Sequence, residues 1–124
     1  MKFYRIETDS GQGPYRSNRI GNLCYVLEAF CQYDQTPEPR HDGIDAYQIS
    51  GHRFGFKSLE DLTAWFNPVM LKVLSVWKND DWSMYAVYVY EVDSSRVLFG
   101  HHQIMADISD LTPEEIIDIR SLIG

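Results

Sequence analysis

Four histidines, two cysteines and a scatter of carboxylates are the side chains of this sequence with the chemistry for catalysis or metal binding. A metal site would need His41 and Asp42 to converge with His52, His101 or His102, and no zinc-ligand spacing supports that. His101 and His102 are adjacent, so an extended strand would send them to opposite faces. Solvent-facing turn histidines are the expectation, with no metal. Ser58 is a nucleophile by type, but it lacks a Gly-x-Ser-x-Gly surround and stands where a helix N-cap belongs. Cys24 and Cys31 would sit two turns apart on a helix, roughly 10 Å, too far for a disulfide. They fall on an apolar stripe, where thiols are inert. Gly11-Gln12-Gly13 is a fragment of a phosphate loop without its third glycine, and Pro14 removes an amide. Asp80 with Asp81, and Glu91 with Asp93, are the candidate paired carboxylates. Glu91 stands inside an apolar strand. In a cleft, burial would raise its pKa and suit it to acid/base work; at an exposed strand end it would carry no chemistry.

The elements that would position these groups are legible from pattern. Lys2 to Glu7 reads as a first strand, followed by a turn through Asp9-Ser10-Gly11-Gln12-Gly13-Pro14. A helix is expected from about Arg19 to Tyr33, with Leu23, Leu27, Phe30 and Cys31 on one side. Asp34 to Ile44, with two prolines and a closing Asp42-Gly43, is a long loop. Ala46 to Ser50 and Arg53 to Phe56 are short strands. Ser58 with Asp61 three residues on opens a helix whose stripe is Leu59, Leu62, Trp65 and Phe66. Pro68 starts a second helix, and Asn79-Asp80-Asp81 marks a turn. Met84 to Val92 is β-branched and aromatic on both faces, which predicts a central strand covered on both sides. Asp93-Ser94-Ser95 should turn Arg96 to Phe99 back as a hairpin, with a bend at Gly100 before Gln103 to Ala106. Thr112-Pro113-Glu114-Glu115 has the form of a helix start, with Ile116, Ile119, Leu122 and Ile123 as its apolar side.

Composition narrows the class. At 124 residues one domain is expected, and 44 % hydrophobic residues argue against disorder. Aromatics reach 14 %, a supply for a core, a contact surface or both. A net charge of −7 argues against binding nucleic acid through a broad basic surface. The charged start Met1-Lys2-Phe3-Tyr4-Arg5 is unlike a secretory leader, and no apolar run approaches membrane-spanning length, so a reduced cytoplasmic setting is expected.

The order of short motifs then matters: Tyr4-Arg5-Ile6-Glu7, Gly13-Pro14-Tyr15-Arg16, His41-Asp42-Gly43, Phe54-Gly55-Phe56-Lys57-Ser58-Leu59-Glu60-Asp61-Leu62, Tyr88-Val89-Tyr90-Glu91-Val92, and Gly100 with Gln103-Ile104. Over about residues 3 to 106 this resembles a group of small phage and prophage proteins. The resemblance implies an accessory protein that binds host machinery, including restriction and CRISPR-type defence. A fainter likeness is to the ADP-ribosyltransferase core. It implies a nicotinamide-dinucleotide-using enzyme, or a binding module on that scaffold, with Arg5, Ser58 and Glu91 as its catalytic set. The sequence lacks the Ser-Thr-Ser step and the Glu-x-Glu or Gln-x-Glu of that family.

Together these readings predict a single α+β domain: a mostly antiparallel sheet of five to six strands with three to four packed helices. The functional expectation is a small acidic binding protein without a cofactor, able to self-associate, whose partner is a host protein or nucleoprotein complex. Its contact surface is expected at Tyr15, Arg16, Arg40, His41 and Asp42, on loops where directional side chains stay accessible.

Overall fold

The computed structural model of the chain describes residues 1–11, 13–14, 27, 52–79, 82–101 and 103–123. Among these are six strands and two α-helices. The first strand, β1 (Lys2–Glu7), pairs antiparallel with β3 (Ala86–Glu91), in a register running from Lys2 opposite Glu91 to Glu7 opposite Ala86. On the other edge of β3 lies β6 (Glu115–Ile117), with Tyr88 opposite Ile116. A second antiparallel sheet has the order β2 (Arg53–Gly55), β5 (Ile104–Ala106), β4 (Val97–Phe99).

The expected single sheet of five to six strands is therefore corrected to two sheets of three, and the expected three to four helices to two α-helices among the described residues; the helix expected from Arg19 to Tyr33, apart from helical Leu27, and the strand expected from Ala46 to Ser50 lie outside those residues. Two local readings account for much of the difference. Asp93 accepts from the Ser95 amide at 3.0 Å and closes a 3-10 turn, Ser94–Arg96. That turn carries the chain out of the first sheet, so β4 pairs with β5 instead of returning along β3. At the C-terminal end, the expected helix after Thr112 is replaced by β6. The Glu114 amide donates to the Val89 carbonyl at 2.8 Å, and helical geometry survives only as a 3-10 turn, Ile119–Leu122. A short isolated helix is marginal in water. The open edge of β3 offers backbone partners to a segment carrying two adjacent isoleucines, and that outweighs the helix-start signature.

The two sheets are laced together where β1 meets the end of β2. Tyr4 and Phe56 form a bridge, each amide donating to the other's carbonyl at 2.8 Å. A Cβ on Gly55 would lie 2.7 Å from Cζ of Phe3 and 2.7 Å from the Tyr4 carbonyl oxygen, so the crossing needs glycine for want of space.

Side chains alternate along a strand, and paired residues share a face. Tyr4 and Ile6 of β1 therefore lie with Val87 and Val89 of β3, while Phe3, Arg5 and Glu7 lie with Tyr88 and Tyr90. The first face packs under the helices. Here α1 (Leu59–Trp65) and α2 (Pro68–Val76) contribute Leu62, Trp65, Met70, Leu71 and Leu74 to a core shared with Phe56, Phe66 and the buried helical residue Leu27. Both helices start as the sequence predicts. Ser58 Oγ accepts from the Asp61 amide at 3.0 Å, and Asn67 Oδ1 accepts from the Met70 amide at 3.0 Å with Pro68 in the first turn. Phe56 anchors this core, its ring centroid 5.7 Å from that of Trp65 and 6.0 Å from that of Phe66. Burial of such a ring contributes roughly 1.5–3 kcal/mol. The second face packs a smaller core: Phe3 and Tyr90 with Val92, Val97, Ile104, Ala106 and Ile108. β3 is thus central in its sheet with apolar partners on both faces, as its composition predicts.

Candidate functional site

Helix α2 ends at Val76, and the chain then reverses tightly toward β3. Lys78 bridges Met84, the Asn79 amide donates to the Ser83 carbonyl at 3.0 Å, and the Trp82 amide donates to the Asn79 carbonyl at 2.9 Å. The buried Asn79 side chain clasps the reversal: Nδ2 donates to Ser83 Oγ at 3.1 Å, and Oδ1 accepts from the Tyr85 hydroxyl at 3.3 Å. Held this way, Trp82 has φ = 66°, the one positive φ among the described non-glycine residues. A left-handed backbone costs a residue with a Cβ roughly 1–2 kcal/mol. The indole is also 76 % exposed, with Val76 at 72 % and Met84 at 42 % on the same reversal. The Lys78 ammonium lies 5.5 Å from the Trp82 ring centroid, which holds one face of the indole and offsets about 0.5–1 kcal/mol. Strained backbone and exposed aromatic area thus coincide at one residue, as they do at contact sites.

A second polar constellation sits between the sheets. Arg5 and Glu7 leave β1 on its inward face, each only 3 % exposed. Arg5 Nε donates to Glu7 Oε2 at 3.1 Å, and Nη1 donates to the Phe54 carbonyl at 2.9 Å with the guanidinium 5.4 Å from the Phe54 ring centroid. The Tyr90 hydroxyl donates to Glu7 Oε1. The backbone of Gly13 packs against this cluster, since a Cβ there would lie 2.7 Å from Arg5 Nη2. Burial lowers the Arg5 pKa, opposed by the Glu7 charge and hydrogen bond. Burial, then the bond to Glu7, pushes the Tyr90 phenol well above its ordinary range. Beside the cluster is a cavity of about 290 Å³, walled by Glu7, Ser10, Gly11, Arg53, Tyr90 and the Asp107–Ser109 turn.

Arg5, Ser58 and Glu91 do not converge on a common site. The register puts Arg5 opposite Tyr88 and Glu91 opposite Lys2, so their side chains leave the sheet on opposite faces. Ser58 caps α1. Glu91 is an exposed strand-end charge: a hydrogen bond from the Met1 amine holds its carboxyl below the usual range, the reverse of what a buried acid/base would show. His52 is half-buried and His101 exposed. Among the described residues no group of three or more His, Cys, Asp or Glu is placed to hold a metal ion, and no helix is long and apolar enough to cross a membrane. Tyr15, Arg16, Arg40, His41 and Asp42 lie outside the described residues, as do Cys24 and Cys31. Trp82 was not singled out by sequence reasoning. Its signal was the large aromatic closing Asn79-Asp80-Asp81, in a turn where small polar residues are the rule.

Fold and site define a small protein whose described residues form two three-stranded sheets with packed helices and present an exposed aromatic reversal. The family model described as Bacteriophage T4 Y00F protein matches residues 1–120, and the chain belongs to that family of bacteriophage proteins. No curated protein and no solved structure matches it, and no comparison carries a likeness to an ADP-ribosyltransferase.

Proposed function

We propose that this phage protein works by binding a macromolecule of its bacterial host, in the host cytoplasm, and modulating it. The target class favoured by its origin is a defence system of the restriction or CRISPR type. The observation that carries the binding reading is Trp82, a three-quarters exposed indole held at a left-handed backbone position by a hydrogen-bonded clasp. Exposed tryptophan is the side chain most enriched among residues that dominate binding energy, and a preformed loop lowers the entropy lost on docking. The net charge of −7 suits a partner whose contact face is basic. Tyr15, Arg16, Arg40, His41 and Asp42 belong to the same proposal on sequence grounds, as directional contacts.

Capture from host lysate, followed by mass spectrometry, tests it. Wild-type protein should retain a host protein or nucleoprotein complex, less well as salt is raised. Trp82→Ala should lose that partner while keeping its thermal midpoint, and so should the double variant Tyr15→Ala, Arg40→Ala. Undiminished capture by folded Trp82→Ala would refute the assignment of this surface.

A further inference from the structure

The cavity beside the buried cluster carries an inference separate from the Trp82 surface. Its walls hold two opposite charges that do not pair with each other. The Arg53 side chain, half-buried on β2, makes no ion pair or hydrogen bond with another described residue. Asp107 is tied to its own turn, where Oδ1 accepts from the Ser109 amide at 3.0 Å and the carboxylate also takes the Ser109 hydroxyl, with Arg96 and His52 as the nearby basic groups. Arg96 reaches the Asp107 carbonyl at 3.2 Å and the Asp110 carboxylate at 3.1 Å, and makes no ion pair with the Asp107 carboxylate. The floor is already neutralised, because Glu7 takes the Arg5 guanidinium on one oxygen and the Tyr90 hydroxyl on the other.

We propose that this cavity is a binding site for a small zwitterion of the α-amino-acid class, with its carboxylate on Arg53 and its ammonium on Asp107. The walls exclude simpler ligands by charge. A pure anion on Arg53 would leave the Asp107 carboxylate without a counter-charge, and a pure cation on Asp107 would leave Arg53 without one. A zwitterion satisfies both walls at once, and the guanidinium fork matches a carboxylate in two parallel hydrogen bonds. Ile108 adds an apolar contact for a short side chain. A volume of about 290 Å³ is more than enough to admit a small amino acid together with water.

The test is a nuclear magnetic resonance titration with L-alanine, acetate and methylammonium as separate probes, following the amides of Gly11 and Ser109. L-alanine should give saturable shifts at millimolar concentration, with acetate and methylammonium weaker by about tenfold or more, the loss of one charge-assisted contact. Arg53→Ala should weaken L-alanine by a similar factor. So should Asp107→Asn, whose Oδ1 keeps the turn bond and therefore the fold. Absence of saturable shifts with L-alanine, equal binding of either single-charge probe, or unchanged binding by folded Asp107→Asn would each overturn the assignment.

Discussion

Tyr90 and Glu7, 83 positions apart in sequence, share a hydrogen bond in the closed space between two sheets, and the same carboxylate holds the guanidinium of Arg5. Three polar side chains thus form one satisfied, buried unit. Such a unit is stable only while every member keeps its partner.

Removal of one partner should therefore be severe. Glu7→Ala leaves the Arg5 charge buried and should cost about 3–5 kcal/mol. The double variant Arg5→Met, Glu7→Leu should be more stable than Glu7→Ala, because no unpaired charge remains. Urea unfolding of the three proteins checks the order, and a double variant less stable than the single one would contradict it.

Alkaline pH should act through Tyr90. Its folded pKa is raised, chiefly by burial and then by the bond to Glu7. The unfolded phenol releases its proton near pH ~10 while the folded one retains it. The contribution to stability is then complete below about pH 10 and is lost as pH rises toward the folded value. Tyr88, also raised by burial and then by the Asp9 and Glu7 charges, acts in the same direction. Unfolding free energies between about pH 8 and pH 11 should fall more steeply for wild type than for Tyr90→Phe. Parallel curves would contradict the role of Tyr90.

The close approach of the two sheets at Gly55 has a steric consequence. Gly55→Ala places a methyl 2.7 Å from the Tyr4 carbonyl oxygen, a backbone atom that cannot turn aside. A loss of about 1–3 kcal/mol is expected, measured by the shift in urea midpoint. A neutral substitution would mean that β1 and β2 do not approach this closely.

The C-terminal segment can be tested at a single amide. Immediately before β6 the Glu114 N–H donates to the Val89 carbonyl and should be protected from hydrogen exchange. In a helix opening at Pro113 the same N–H would belong to the unpartnered first turn and would exchange freely.

The residues explain why some of this was legible and some was not. Helices α1 and α2 carry their own start signals in Ser58 and Asn67-Pro68, and β3 carries its centrality in its alternating valines and tyrosines. Those are local properties. The division into two sheets turns on where the chain goes after Asp93, and a turn motif says that it bends without saying toward which strand. The helix expected at Thr112 lost to an open sheet edge supplied by residues far away in sequence. The Arg5–Glu7–Tyr90 unit was hidden for the same reason: alternation puts Arg5 and Glu7 on one face, but only the register with β3 brings Tyr90 to them. For the expected contact loops, Tyr15 to Arg16 and Arg40 to Asp42, the sequence remains the ground of the proposal.

Trp82→Gly tests the central claim most directly. Glycine accepts φ = 66° without strain, so stability should stay within about 1 kcal/mol of wild type even with the contact to Lys78 lost. Host-lysate capture with wild-type and Trp82→Gly baits, matched for folded fraction, should then retain a host macromolecule on the first and lose it on the second. Equal retention on both baits, or none on the wild type, would contradict the account.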